Sequence, residues 1–148
     1  MTRVRQAVTE DLELTVPLFD AYRQFYRRPS DIGLARAFLQ ERLRNHESVI
    51  FIVVNESGEA LGFTQLFPSF SSASAARILI LNDLYVAPAA RRTGVGTGLL
   101  RAAAEYGKTV GAVRLTLSTE VTNTSAQVLY EAEGWRRQTD FYVYNLAL

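Results

Sequence analysis

The amino-acid sequence predicts an α/β protein in which a mixed, mostly antiparallel sheet is flanked by about four helices. Several strand patterns follow one another in the first half of the chain, and a strand–helix–strand crossover comes after them. Apolar residues make up 48% of the 148 residues, which is enough for one mixed core. We therefore expect a single domain over residues 1–148.

The first half of the chain alternates between strand and helix patterns. β-branched runs and period-two alternation indicate strands, and apolar residues at helical spacing indicate helices. The predicted elements are, in order, a strand at 3–7, a helix with Thr9 as its N-cap, a helix between the break at 29–31 and Asn45, and a hairpin of strands at 49–54 and 60–67.

The second half begins with a segment of loop composition at 68–76, which we expect to cover the site. Pro88 ends the longest strand pattern of the chain, and an aromatic tail is expected to end the sheet. The predicted elements after the loop are a strand at 77–86, a helix at 99–110, a strand at 113–119, a helix at 125–133, and terminal strands at 135–138 and 141–146.

Composition excludes several classes of function. The chain has no cysteine and one histidine, His46, so thiolate nucleophiles, disulfides and multi-histidine metal centres are ruled out, and we expect no metal. The net charge is +1, which gives no field to attract nucleic acid or an anionic membrane. The N-terminal residues lack a signal-peptide pattern and no window resembles a membrane span, so we expect a cytoplasmic protein.

A glycine-rich segment between the long strand and the next helix carries the strongest functional signal. Glycines at alternating positions let backbone N–H groups approach an anion, and a helix N-terminus favours negative charge. Two arginines add permanent positive charge. The pattern predicts a phosphate site formed by Arg91, Arg92, Thr93, Gly94, Val95, Gly96, Thr97 and Gly98.

Three alternatives for this segment remain open on the residues alone. A nucleoside triphosphate loop needs lysine followed by serine or threonine after the last glycine, but Leu99 and Leu100 stand there. A dinucleotide site would use Glu120 for the ribose, although the third glycine is one position early and the motif follows a run of strands. A glycine-rich turn without a ligand is the third alternative.

Two motifs resemble those of the GNAT acetyltransferase superfamily. Arg91, Gly94 and Gly96 match its acetyl-CoA signature, in which two residues separate an arginine or glutamine from a glycine, and one further residue separates that glycine from a glycine or alanine. The block from Asn123 to Trp135 is similar to the family's Asn-x-x-Ala-x-x-Leu-Tyr-x-x-x-Gly-Phe. The segment from Leu81 to Val86 further resembles the corresponding segment of the polyamine and histone acetyltransferase branch, including diamine acetyltransferases.

The resemblance implies the GNAT fold with acetyl-CoA as co-substrate. The cofactor's pantetheine arm would enter a gap beside the long strand and pair with Leu84, Tyr85 and Val86. Asn123 would contact the cofactor, although it is also suited to cap its helix. Tyr130 occupies the family's position for the acid that protonates the departing CoA thiolate.

The acceptor amine needs a base, since an alkylammonium with a pKa of about 10.4 is not nucleophilic. Some polyamine acetyltransferases have Glu-Asp where this chain has Asn82-Asp83, so the glutamate is missing and Asp83 is the candidate base, acting directly or through water. Its alternative role is a hydrogen-bonded carboxylate at a strand bulge. Aromatic faces and a carboxylate suited to a cation are offered by Tyr22, Phe25, Tyr26 and Asp31, which equally suit inward packing of an amphipathic helix.

The sequence thus predicts an N-acetyltransferase that moves acetyl from acetyl-CoA to a primary amine. A small polyamine or an amino-acid-like acceptor is preferred over a protein lysine. The alternatives are a non-catalytic acetyl-CoA sensor and a nucleotide-dependent oxidoreductase. We expect a homodimer that uses the aromatic C-terminal residues, and no nucleic acid or membrane as partner.

Overall fold

A five-stranded sheet and four helices make up the computed structural model, which describes residues 2–148. The sheet order is β1-β2-β3-β4-β5; the first four strands are antiparallel and β5 is parallel to β4. This mixed sheet with four helices confirms the predicted fold class. The strands are β1 Arg3–Gln6, β2 Val49–Val54, β3 Ala60–Ser71, β4 Ala76–Val86 and β5 Leu115–Thr116, and the helices are α1 Leu12–Phe25, α2 Ile32–Arg44, α3 Val95–Thr109 and α4 Thr124–Ala132.

The contacts divide the chain into two compact units. Residues up to Ser118 form the first unit, which holds the whole sheet with α1 to α3, and residues 119–148 form the second, which holds α4. The single domain expected over 1–148 stays a prediction. Among residues 2–148, every helix is too short or too polar to cross a membrane.

The first unit has three layers, with the sheet between two layers of helices. Ile50 and Ile52 of β2 join a buried cluster with α1 and α2, whereas Phe51 points the other way and its ring lies 5.8 Å from that of Tyr106 in α3. This division follows from strand geometry, because successive side chains leave opposite faces of a sheet. Strand β2 therefore reads as a continuous apolar run, as the sequence predicts.

The expectation of a loop at 68–76 is wrong for most of that segment. Strand β3 continues to Ser71 and pairs with β4 as far as Ala76, so only a short turn at 72–75 remains. Strand β2 pairs with β3 only as far as Leu66, so the outer part of β3 is an edge there. An edge strand tolerates Pro68, whose missing N–H is not needed for a second partner.

Two further expectations need correction. The expected strands at 135–138 and 141–146 are not formed, and Phe141 and Tyr142 are 77% and 92% exposed. Aromatic alternation suits a sheet surface, but a strand exists only when a neighbouring strand pairs with it. Thr9 is not the N-cap of α1, because a 3-10 turn spans 9–11 and the Asp11 carboxylate accepts the Val8 N–H at 2.8 Å.

We expect Gly62→Ala to lower the free energy of unfolding by about 1–3 kcal/mol, because the added methyl overpacks a filled space. A Cβ at this position would lie 2.8 Å from the Tyr85 carbonyl oxygen and 3.0 Å from Val95 Cγ1. Urea unfolding measures the change. Gly33→Ala is the control, because its Cβ would meet nothing nearer than 3.7 Å. If Gly62→Ala is as stable as the wild type, this account of the close packing is wrong.

Candidate active site

A bulge in β4 sets the direction of the side chains around Asp83. Leu66 pairs with Leu81 and Gln65 pairs with Asp83, so Asn82 is an extra residue between the two pairs. One extra residue reverses which face the following side chains take. Asp83 therefore lies on the same face as Gln65, the face covered by α1 and α2.

The Asp83 carboxylate is buried and hydrogen-bonded on both oxygens. Its side chain accepts from Gln65 Nε2 at 2.6 Å and from Asn82 Nδ2 at 2.8 Å, and the residue is 2% exposed. Burial raises the pKa of Asp83, while the hydrogen bonds from Asn82, Gln65 and Tyr22 oppose that rise. The Tyr22 hydroxyl also donates to the Asn82 carbonyl at 3.0 Å, which fastens the bulge to α1. A buried acid with a raised pKa is suited to exchange a proton with a bound amine.

Asp83 lies in the wall of a cavity of about 360 Å³ between α1, α2 and the sheet. The cavity brings together two of the residues predicted from sequence, Asp83 and Tyr22. Most of the wall is apolar, with a few polar groups at one place, as is usual for small-molecule sites. The lining residues are Phe19, Tyr22, Arg23, Leu34, Phe38, Gln65, Phe67, Asn82 and Asp83.

Phe25, Tyr26 and Asp31 are not among the lining residues. The Tyr26 ring packs against Tyr22 at 5.0 Å and against Phe25 at 5.2 Å. Asp31 is the N-cap of α2, where its carboxylate accepts the Leu34 N–H at 3.0 Å. The structure thus gives these residues roles in packing and helix capping next to the cavity.

A buried carboxylate holds the connection between α1 and α2 in place. Asp20 accepts from the Ser30 hydroxyl at 2.6 Å, the Asp31 N–H at 2.8 Å and Gln24 Nε2 at 3.1 Å. The Ser30 hydrogen bond is the main cause of the lowered pKa of Asp20, and the Asp31 N–H adds to it. This network fixes where α2 begins and so positions Leu34 and Phe38 at the cavity.

The glycine-rich segment forms a turn with left-handed residues at the N-terminus of α3. Arg92 has a φ of 63° and Gly94 a φ of 88°, and α3 begins at Val95. Such alternation points successive N–H groups into one concavity, which is an anion-binding arrangement. A Cβ built on Gly94 would have no atom within 4 Å, so the space beside this turn is open.

Three N–H groups precede the hydrogen-bond ladder of α3. The ladder begins where the Gly98 N–H donates to the Gly94 carbonyl at 3.0 Å. The N–H groups of Val95, Gly96 and Thr97 come before that bond and have no acceptor within the helix. Together with the helix dipole they make this end of α3 suited to a phosphate.

Two side chains of the segment are already engaged. Arg91 Nε donates to the Val86 carbonyl at 3.0 Å, and its guanidinium lies 5.7 Å from the centre of the Tyr85 ring. The Thr93 hydroxyl donates to the Ala90 carbonyl. These bonds hold the turn against the end of β4, so Arg91 shapes the site and supplies charge from a fixed position.

Strand β4 has an open edge between the bulge and the glycine-rich turn. In the sheet β4 pairs with β5 only at Leu79 and Ile80. Leu81 and residues 83–86 pair with β3 on their other side, so the second edge of this part of β4 has no strand partner in the five-stranded sheet. The backbone groups of Leu84, Tyr85 and Val86 lie on this part of the strand, where the resemblance expects the pantetheine arm.

The second unit contains the other two residues predicted from the resemblance. Asn123 caps α4, since its side chain accepts the Ala126 N–H at 3.2 Å. Tyr130 lies in the last turn of α4, with its ring 6.1 Å from that of Trp135. The helix ends at Ala132, and Gly134, two residues later, has a φ of 91°, the left-handed conformation that glycine adopts readily.

Comparison with known proteins identifies the family of this chain. The model of the acetyltransferase (GNAT) family matches residues 15–135. The uncharacterized N-acetyltransferase YhfO of Bacillus subtilis strain 168 is 52% identical over 143 residues, covering 97% of this chain and 95% of that protein. A crystal structure of a probable acetyltransferase is 45% identical with a TM-score of 0.93, covering 99% of this chain and 97% of that one.

A more distant solved structure shares the fold alone. It is an aminoglycoside N-acetyltransferase in complex with CoA, 22% identical with a TM-score of 0.83, and the match covers 100% of this chain and 96% of that one. The family match over residues 15–135 and the 52% identical relative show that the chain belongs to the GNAT acetyltransferase family. It is an acyltransferase, and the oxidoreductase alternative is wrong.

Several residues of the cavity were missed in the sequence, although the signals are present. Gln65 is the one polar residue between Phe63 and Phe67 on that face of β3, and inward alternation places it with them. Arg23 follows Phe19 by four positions, so a helix puts it on the same face as the predicted Tyr22. Both signals become visible only once the neighbouring strand and helix are placed together.

We expect Tyr22→Phe to raise the pKa of Asp83 further, because it removes a donor that stabilises the ionised carboxylate. Carbon-13 NMR titration of the aspartate carboxyl groups measures this change. Tyr26→Phe is the matched control, because that ring is not in the cavity wall. An unchanged Asp83 titration in Tyr22→Phe would show that the hydroxyl does not act on the carboxylate.

Proposed function

We propose that the chain transfers acetyl from acetyl-CoA to a primary amine, by direct attack of the amine in a ternary complex. The observation that carries this proposal is the buried Asp83, which sits in the cavity wall on the strand that leads to the open edge and the glycine-rich turn. An acceptor in the cavity and a thioester along that edge would share one strand, which gives the proximity that direct transfer requires.

The proposed cofactor site runs along β4 and ends at α3. The pyrophosphate would be bound by the N–H groups at Val95, Gly96 and Thr97 with charge from Arg91 and Arg92, and the pantetheine arm would pair with Leu84 to Val86. The structurally similar aminoglycoside N-acetyltransferase was solved with CoA, which supports this choice of cofactor. A backbone N–H near the end of β4 would also stabilise the oxyanion of the tetrahedral intermediate.

The proposed reaction needs no covalent enzyme intermediate. Asp83 takes a proton from the ammonium, directly or through water, and the neutral amine attacks the thioester carbonyl carbon. The C–N bond forms, and the C–S bond then breaks. The nitrogen then loses a second proton, which reaches the departing thiolate through water or the Tyr130 hydroxyl. Asp83 releases the first proton to solvent, giving the amide and free CoA.

Tyr130 is the proposed donor to the departing thiolate. A thiol has a pKa of about 8.5 and a phenol about 10, so complete transfer from tyrosine is uphill by roughly 2 kcal/mol. Tyr130 is therefore proposed to stabilise the thiolate mainly by hydrogen bonding as the C–S bond lengthens. Its place in the family's motif supports this assignment.

The test begins with isothermal titration of acetyl-CoA, followed by a free-thiol release assay with diamines, amino acids and lysine peptides. We expect saturable acetyl-CoA binding and amine-dependent thiol release. Binding without release from any amine would favour the sensor alternative. Absence of acetyl-CoA binding would overturn the proposed cofactor and function together.

Gly96→Glu is expected to abolish acetyl-CoA binding, because it places bulk and negative charge where the pyrophosphate would lie. Titration calorimetry measures the affinity. Gln40→Glu adds the same charge on the exposed part of α2 and should bind as the wild type does. Unchanged affinity in Gly96→Glu would remove this turn from the cofactor site.

Tyr130→Phe is expected to lower kcat by roughly 10- to 1000-fold with little change in acetyl-CoA affinity. The hydroxyl is proposed to act on the thiolate that forms during the reaction, so its loss should not weaken ground-state binding. Steady-state kinetics and titration calorimetry separate the two quantities. Wild-type turnover would exclude Tyr130 from the mechanism.

The proposed base gives a pH dependence. The pKa of Asp83 is raised, so kcat/KM should increase with pH through a midpoint above the ordinary aspartate value of about 3.9, as the carboxylate ionises. Asp83→Asn should lose that limb and lower kcat by about 100-fold or more. Asp140→Asn, an exposed position, is the control. An identical pH profile in Asp83→Asn would eliminate Asp83 as the base.

A homodimer and a cytoplasmic location are also proposals. The exposed apolar residues of the C-terminal tail support an association surface, because burying apolar side chains against a second chain lowers the free energy. The members of this set are Phe141, Tyr142, Val143, Tyr144 and Leu146. Analytical ultracentrifugation of the whole chain tests the dimer.

A further inference from the structure

Two buried polar atoms in the wall of the Asp83 cavity have no hydrogen-bond partner. Within residues 2–148 three buried side-chain polar atoms lack one: Arg23 Nη1, Gln65 Oε1 and, outside the cavity, Ser48 Oγ. Buried polar groups in folded proteins are nearly always hydrogen-bonded. Two such atoms of opposite character in one cavity indicate a ligand that supplies both an N–H donor and an acceptor.

The Gln65 oxygen marks the place for the amine. An ionised carboxylate can only accept hydrogen bonds, so the Gln65 amide turns its Nε2 towards Asp83, at 2.6 Å. Its Oε1 is then left as an acceptor beside the carboxylate. An amine bound there can donate one N–H to Gln65 and give a proton to Asp83.

The Arg23 guanidinium marks the place for an anion. The acid three residues before it, Asp20, accepts instead from Ser30, Gln24 and the Asp31 N–H. The pKa of Asp20 is lowered mainly by the Ser30 hydrogen bond and the Asp31 N–H, and Arg23 adds to this through space. A buried guanidinium N–H without an acceptor is best satisfied by a carboxylate, which matches its charge and geometry.

The remaining wall limits the size and character of the ligand. A volume of about 360 Å³ is near the lower end for ligand cavities, which run from about 300 to 1,000 Å³. Phe19, Leu34, Phe38 and Phe67 offer apolar surface to the middle of the ligand. A diamine would bring its second ammonium towards Arg23, and like charges repel strongly away from water.

We propose that the acceptor is an amine that also carries a carboxylate, an amino-acid-like compound with an apolar middle. The amine lies at Asp83 and Gln65, and the carboxylate lies at Arg23. This inference rests on the proposed acetyl transfer and selects among its acceptor classes.

Matched acceptors test the inference in the thiol-release assay with the wild-type chain. One set is 5-aminopentanoate, pentylamine and 1,5-diaminopentane, and the other is 6-aminohexanoate and its neutral carboxamide, 6-aminohexanamide. We expect kcat/KM for the carboxylate member of at least one set to exceed that of its partners by roughly 10-fold or more. Equal or faster turnover of the diamine and the carboxamide would overturn the inference.

Substitutions separate the two ends of the ligand. Arg23→Gln should raise KM for the carboxylate-bearing acceptor by roughly 10- to 100-fold and remove the preference, and Arg23→Lys should restore it in part. Arg28→Gln, which removes an exposed charge outside the cavity, is the matched control. Gln65→Met should raise KM for all amines alike, because it acts at the amine end. If Arg23→Gln keeps the preference, Arg23 does not bind the carboxylate.

Failure of this inference is distinguishable from failure of the proposed function. Thiol release that is indifferent to the carboxylate would leave acetyl transfer standing and overturn only the acceptor class. If no amine releases thiol, titration of the same compounds into the acetyl-CoA-loaded protein decides the matter. Carboxylate-dependent binding that Arg23→Gln abolishes would support the inference, and its absence would overturn it.

Discussion

The bulge at Asn82 is the constraint on which the rest of the site depends. Before it, Leu79 packs at Gly107 on the α3 side of the sheet; after it, Tyr85 packs with the cluster beneath α1. If β4 kept its regular alternation through Asn82, with no bulge, residue 83 would continue the series of Leu79 and Leu81 and would face α3. The bulge therefore places a carboxylate among apolar side chains, where burial raises its pKa and Gln65, Asn82 and Tyr22 hold it in position.

The same strand connects the cavity with the glycine-rich turn because β3, β4 and α3 pack closely. Gly62 of β3 lies against the Tyr85 carbonyl and the first turn of α3, so the start of that helix is held at the end of β4. Arg91 adds a hydrogen bond from the turn back to Val86. The proposed acceptor and cofactor sites therefore rest on a few strand residues, and rigid elements position both.

Much of the first unit was predictable from its sequence because the signals are local. The apolar run at 49–54 and the polar turn after it gave the bounds of β2. The expected helix at 99–110 corresponds to α3, which begins four residues earlier, at Val95 within the glycine-rich segment. The errors came from interactions with distant residues. Pro68 suggested a loop, although proline is accepted in a strand at the edge of a sheet; whether residue 68 lies at an edge depends on where β2 ends. The aromatic tail suggested strands, because its pattern does not reveal whether a partner strand exists.

The motifs of the candidate site were predictable from the sequence, but several of the residues that line its cavity were not. Asp83 was named from the resemblance at Asn82-Asp83 and Tyr22 from its aromatic face, and both lie in the cavity wall. Asp31 was named as a carboxylate for a cation, and in the structure it caps α2. Arg23 and Gln65 are candidate ligand contacts because each has a buried polar atom without a hydrogen-bond partner. Such an atom can be recognised only when all the surrounding atoms are placed.

The bulge also bears on how the chain can change in length over evolution. The turn at 72–75 lies beyond the paired ends of β3 and β4, so residues can be gained or lost there while the ladder stays intact. Elsewhere in β4 a single inserted or deleted residue would shift the register and exchange the faces of the side chains beyond it. Loss of Asn82 itself would keep the pairs Leu66–Leu81 and Gln65–Asp83 but would remove a hydrogen-bond donor to the Asp83 carboxylate. Homologous chains that keep the carboxylate in the cavity should therefore vary in length at the turn and hold the spacing around Asn82 constant.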